Sequence, residues 1–165
     1  MVIRRKELKD CRVWREILVE SWSNNLRGVV SDRFLRLFAE AKEGRIANDI
    51  ANFKSNDDEW VLEDDGKVLG VMKLAVSEHK GYEGYPELQV LYLYSYAKGK
   101  GYGRALIEKA KDLFKNRGHK QFVLGCLDGN KSNEFYRHMG GVFIRQEPWT
   151  VFGETYKNNL YLFNI

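Results

Sequence analysis

Two cysteines and two prolines are all that this 165-residue chain holds of either type. Cys11 and Cys126 lie far apart and form no C-x-x-C, so neither a disulfide framework nor a thiolate metal site is indicated. Both read as packed thiols. Pro86 and Pro148 are isolated, and no repeat or low-complexity tract marks a linker, so residues 1–165 are expected to form one domain with a self-supporting core. No apolar run approaches the ~20 residues of a membrane span, and the opening "MVIRRKELKD" is not followed by an apolar stretch of signal-peptide kind. A cytoplasmic protein with no membrane partner is expected. Net charge is also small: 27 Lys and Arg against 23 Asp and Glu give +4, less than a nucleic-acid-binding face requires. No nucleic-acid partner is expected, and the basic residues suit one small anion instead.

What is present is a series of clear periods. "VIRR" reads as a short strand, and Asp10 as the cap of a helix carrying Val13, Ile17, Leu18 and Trp22. Ser31 reads as the cap of a second helix with Phe34, Leu35, Phe38 and Ala41 inward, running to about Glu43 and stopped by Gly44; one or two more helical turns follow in 45–54. "EWVLE" and "VLGVMKLAVS", joined through Asp-Gly, read as a hairpin. "ELQVLYLYSY" is apolar on both parities, as a strand covered on both faces must be. A helix over Arg104 to Asn116 follows, with Leu106, Ala110, Leu113 and Phe114 inward and Gly118 as its stop. "QFVLGCL" is the next strand, parallel to the last across a right-handed crossover. A short helix capped by Asn130 and closed by Gly140 precedes the strands "VFIRQ" and "NLYLFNI". The last is apolar enough to be core or to pair at an edge with a second copy, as in a homodimer. The acidic stretches "NDDEW" and "EDD" suit either attraction of a cationic amine or a solvated turn.

Between the central strand and the helix stands "YAKGKGYGRAL", residues 96–106, with glycines at 99, 101 and 103. A strand, a glycine turn and a helix bring free backbone N–H groups and a helix N-terminus toward one anion, and glycine admits positive φ and close approach. Neither a P-loop nor a Rossmann G-x-G-x-x-G fits the spacing. By itself the turn supports a generic anion seat or a plain strand-to-helix turn.

The surrounding order says more. "PELQVLYLYSYAKGKGYGRALIEKAKDLF", followed about twenty residues later by "LGCLDGNKSNEFYRHMGG", resembles the GNAT superfamily of acetyl-CoA-dependent N-acetyltransferases. Lys98-Gly99-Lys100-Gly101-Tyr102-Gly103 takes the place of the family's Q/R-x-x-G-x-G/A. Asn130 to Tyr136 with Gly140 takes the place of N-x-x-A-x-x-F-Y-x-x-x-G-F. Lys98 stands where Gln or Arg is usual, Asn133 replaces a common alanine, and "YSYAK" lacks the proline frequent after the strand.

The resemblance implies an α/β fold: a mixed, mostly antiparallel sheet of six to seven strands, helices on both faces, and a parallel, splayed central strand pair. It also implies acetyl transfer to a primary amine of a small molecule, polyamine or protein, with acetyl-CoA as cosubstrate and no metal. A catalytically silent CoA-binding regulatory module is the alternative. The pyrophosphate would sit on the amides of Gly99, Lys100, Gly101, Tyr102 and Gly103, with charge from Lys98, Lys100 and Arg104. The pantetheine arm would run beside Leu91, Tyr92 and Leu93, with the Leu93 N–H facing the thioester carbonyl and Asn130 as a further polar contact. Tyr136 matches the tyrosine that protonates the departing thiolate, and Glu87 matches a glutamate that takes the amine's proton, with Glu83 as its substitute. His79, His119 and His138 stand alone in sequence and read as surface or hydrogen-bonded histidines.

Overall fold

A computed structural model describes residues 1–56 and 58–165. Asp57, part of the acidic stretch "NDDEW", lies outside the described residues. Among the described residues, seven strands hydrogen-bond in the order β1-β2-β3-β4-β5-β7-β6, flanked by five α-helices. The strands are β1 Val2–Arg5, β2 Glu59–Asp64, β3 Lys67–Val76, β4 Pro86–Leu93, β5 Gln121–Leu127, β6 Val142–Val151 and β7 Glu154–Asn164. The helices are α1 Cys11–Asn25, α2 Asp32–Glu40, α3 Lys42–Ala51, α4 Tyr102–Asn116 and α5 Ser132–His138. β1 with β2, β2 with β3, β5 with β7 and β6 with β7 pair antiparallel, whereas β4 and β5 run parallel with Glu87 opposite Val123. This is the mixed sheet with a parallel central pair that the sequence predicts. The chain forms two compact units, Met1–Lys73 with Val90–Leu106, and Leu74–Gln89 with Ile107–Ile165.

In the first unit, Trp14, Ile17 and Leu18 of α1 bury against Val61 and Val71, with Phe38, Val90 and Tyr92 packed around them. Burial of Cys11, Trp14, Ile17, Leu18 and Ser21 follows one face of a 3.6-residue period. The β2–β3 hairpin turns through Asp65 and Gly66, both at positive φ, the geometry that suits Asp-Gly. Ser31 caps α2 as predicted, its Oγ accepting the Phe34 N–H at 3.0 Å.

Two expectations about the N-terminal helices are corrected. Asp10 does not cap α1 with its side chain. Instead its carboxylate, buried, accepts a forked pair of bonds from Arg4 at 2.7 and 3.0 Å and the Glu7 N–H at 2.8 Å. Burial alone would raise this carboxyl; the Arg4 guanidinium and the Glu7 amide pull it below its ordinary value. Gly44 does not end α2. Ala41, at φ −72 and ψ −8, stays helical and serves as the last cap of α2 and the first of α3, so the chain runs on and Gly44 lies inside α3.

In the second unit, Phe122 stacks on Phe163 with centroids 4.7 Å apart, Phe114 of α4 closes the layer at 5.2 Å, and Ile107 and Ala110 bury beside it. Ile107 replaces Leu113 among the fully buried residues predicted for α4. "NLYLFNI" is no edge: β7 lies between β5 and β6, paired on both sides, so it offers no free ladder to a second copy. β6 carries an extra residue at Ile144. Phe143 faces Tyr161, and the next register pair is Arg145 with Leu160.

Candidate functional site

The glycine turn belongs to the first unit. After a 3₁₀ turn at Ser95–Ala97 the chain passes Gly99 at φ 75° and Gly101 at φ 84°, then enters α4 at Tyr102. A Cβ on either glycine would meet nothing within 4 Å, so it is the left-handed backbone that requires glycine there. Gly103 differs from expectation: it lies in the first turn of α4 and is not among the positive-φ glycines. The first bond of the helix is Ala105 N–H to Gly101 C=O at 3.0 Å. Helical geometry therefore leaves the N–H groups of Tyr102, Gly103 and Arg104 without an intrahelical acceptor, at the positive end of the helix dipole. The Tyr102 phenol is tethered elsewhere, donating to Asp64 of β2 at 2.5 Å, so toward an anion this residue presents its amide. Lys98 Nζ donates to Asn25 Oδ1 at the end of α1, whereas Lys100 and Arg104 are exposed.

Upstream of the turn the Tyr94 N–H donates to Leu69 C=O of β3 at 3.0 Å. Successive strand residues alternate sides, so the Leu93 N–H points away from β3. The Leu93 side chain is buried against Gly70, where any Cβ would collide with it.

A second group of side chains lies in the other unit. Glu87, at the start of β4, has its Oε1 3.3 Å from His79 Nε2, and the other ring nitrogen of His79 bonds Glu147 of β6. The hydrogen bond to Glu87 raises the His79 pKa, burial works against it, and Glu147 adds to the rise. Tyr136 is buried on α5, its ring 5.4 Å from Phe135 and 6.5 Å from Tyr161. Its carbonyl accepts the Gly141 N–H at 2.9 Å, past the turn made by Gly140 at φ 97°. The cap residue of α5 is Lys131 and not the predicted Asn130, which stands one residue earlier and accepts the Ser132 N–H on Oδ1 at 2.9 Å. Among the described residues no three His, Cys, Asp or Glu side chains are grouped to hold a metal ion.

The sequence pattern of the acetyltransferase (GNAT) family matches residues 13–140. The chain belongs to that family. No curated protein sequence matches it, but solved GNAT structures do in fold. A GCN5-related N-acetyltransferase from Rhodopseudomonas palustris superposes with a TM-score of 0.79 at 18% identity, over 99% of this chain and 95% of that one. The PaiA N-acetyltransferase of Thermoplasma acidophilum, solved with coenzyme A, gives 0.73 at 20% identity, over 99% and 98%. YncA of Salmonella typhimurium, solved with acetyl-CoA, gives 0.65 at 21% identity, over 99% and 93%.

Two departures from the GNAT pattern have structural reasons. Within "YSYAK", which lacks the proline frequent after the strand, the Ser95 N–H donates to both carboxylate oxygens of Glu20 on α1 at 3.2 Å, a bond that proline could not make. Asn133 replaces the common alanine and is buried. Its Nδ2 donates to Leu127 C=O at 2.8 Å and Asn130 C=O at 2.7 Å, while its Oδ1 accepts from the Tyr161 hydroxyl at 2.8 Å and from Asn159 at 3.1 Å. These bonds lock α5, and with it Tyr136, onto β5 and β7.

Sequence reasoning missed the company Glu87 keeps. His79 and Glu147 are 68 residues apart, and nothing in the spacing announces that they meet. The alternating pattern of β6 marks which of its residues share a face, and that is the one signal that bears on Glu147.

Proposed function

We propose that the protein transfers the acetyl group of acetyl-CoA to a primary amine. The observation that carries this reading is the turn at Gly99 and Gly101 opening onto the unpaired N–H groups of α4, in a chain of the GNAT family. Two left-handed glycines with open space over them and a helix N-terminus fit a pyrophosphate, and Lys100 and Arg104 add charge from solvent.

Acetyl-CoA, when bound, supplies an activated acyl group as a thioester. The Leu93 N–H, directed away from β3, is assigned to the thioester carbonyl oxygen, where negative charge builds as the amine attacks. Leu91 and Tyr92 line the pantetheine arm, and Asn130 contributes a polar contact beyond its bond to the Ser132 N–H. Glu87 takes one proton from the amine nitrogen, whose lone pair forms the new C–N bond. As the C–S bond breaks, Tyr136 gives its phenolic proton to the leaving sulfur. The products are an amide and free CoA thiol.

Incubating the protein with acetyl-CoA and a panel of primary amines, with free thiol as readout, tests the reading. Thiol release that depends on one class of amine is expected. Absence of both turnover and acetyl-CoA binding overturns it, while acetyl-CoA-dependent thermal stabilisation without turnover on any amine points to a silent CoA-binding module. Tyr136→Phe is expected to lower turnover with acetyl-CoA affinity kept.

A further inference from the structure

Glu87 is not a solitary carboxylate. Each ring nitrogen of His79 faces a different carboxylate, Nε2 that of Glu87 and Nδ1 that of Glu147. The second oxygen of Glu147 accepts from Arg145 at 3.1 Å, and the same guanidinium nitrogen donates to Lys80 C=O at 2.5 Å. The three side chains His79, Glu87 and Glu147 are only 12 to 18% exposed. Glu87 Oε1 is engaged by the ring, whereas Oε2 has no hydrogen-bond partner among the described residues. We propose that His79 is a positioning residue for Glu87, itself held by Glu147, fixing one oxygen of the Glu87 carboxylate so that the other is presented to the amine. This rests on acetyl transfer with Glu87 as the proton acceptor.

The chemistry follows from the hydrogen-bonding inventory. An ionised carboxylate only accepts, so an imidazole between two of them must donate from both nitrogens and carries a positive charge. That charge lies between the two carboxylates and offsets their mutual repulsion. The charged groups around the ring are Glu87 from β4, Glu147 and Arg145 from β6, and Glu78, Lys80 and Glu83 from its own loop. Of the loop groups, Glu83 is occupied with the Gly81 N–H at 2.7 Å.

A purely structural role for the ring is disfavoured because the loop closes without it. Ser77 N–H bonds Tyr85 C=O at 2.8 Å, Gly84 N–H bonds Ser77 C=O at 2.9 Å, and Tyr82 N–H bonds His79 C=O at 2.8 Å. The His79 N–H rests on Ser77 Oγ at 3.2 Å. The ring's two bonds are surplus to the loop and directed at carboxylates.

Carboxyl and imidazole NMR titrations of the intact protein test the proposal without any acceptor. The His79 ring is expected to titrate above the ordinary value of about 6.5, and lower in Glu147→Gln than in wild type. In wild type the Glu87 resonance should move again as His79 titrates, the mark of a coupled pair, and this reading does not depend on any variant folding. A Glu87 resonance that does not respond as His79 titrates overturns the positioning role and leaves acetyl transfer standing. Full turnover by Glu87→Gln on an amine found with the panel would instead remove the base assignment, and this inference with it.

Discussion

The glycine turn and the Glu87–His79–Glu147 group differ in how the chain builds them. The turn is made of consecutive residues, Lys98 to Arg104, and acts through backbone amides whose direction follows from φ and the start of a helix. The carboxylate group draws on the β3–β4 loop, the first residues of β4 and the middle of β6, and acts through side chains. A backbone site tolerates many side chains and demands particular glycines. A side-chain site tolerates the backbone and demands particular neighbours. Binding by the former and proton handling by the latter should therefore be separable by mutation.

Glu87→Gln should show the largest separation: kcat lower by about 10²-fold, the lower end of general-base effects, with acetyl-CoA affinity unchanged by calorimetry. A loss confined to acetyl-CoA affinity would break the division. Next, Asn133→Ala removes the hydrogen bonds that its side chain makes with the Tyr161 hydroxyl, the Asn159 amide and the Leu127 and Asn130 carbonyls. Thermal or urea unfolding should register a loss of about 2 kcal/mol. Gly101→Val forces a branched side chain to φ 84°, a strain of about 1–2 kcal/mol, and should weaken acetyl-CoA about tenfold while saturating kcat changes little. Ser31→Ala, which removes only the cap of α2, should cost about 1 kcal/mol with acetyl-CoA affinity unchanged.

The smallest effect is a pH dependence. Because the folded protein raises the His79 pKa, chiefly through Glu87, the ring's contribution to stability is complete below about 6.5 and fades as pH rises through the raised value. The Tm difference between wild type and His79→Gln should accordingly be widest near pH 6 and narrow toward alkaline pH. A difference that widens with pH would contradict the charged ring between two carboxylates.

The same contrast separates the features that are legible in the sequence from those that are not. Asp65-Gly66, Ser31, Gly118 and the strand-turn-helix around Gly101 are local, each determined by a few adjacent residues, and each appears where the sequence predicts. Gly44 misled because a glycine stops a helix only if the chain turns there, and Ala41 had already kept it helical. Asp10 misled because a half-buried partner, Arg4, outcompeted the helix end for its carboxylate. "NLYLFNI" is apolar for the reason any interior strand is, and composition cannot tell interior from edge. His79 carried no sequence signal because its partners arrive by tertiary folding. Tyr136 and Glu87 could be singled out only through resemblance to the GNAT pattern, and their roles still await the experiments above.

The additional residue at Ile144 bears on all of this. Side chains alternate along a strand, so one extra residue sends everything after it to the opposite face. Arg145 and Glu147 both follow that point, two residues apart and on one face. They therefore share the face of Leu160 and Asn158, their partners on β7, whereas alternation counted from Phe143 would put them on that residue's face. An irregularity of one residue thus parts Phe143 from Glu147, which a regular strand would carry on one face.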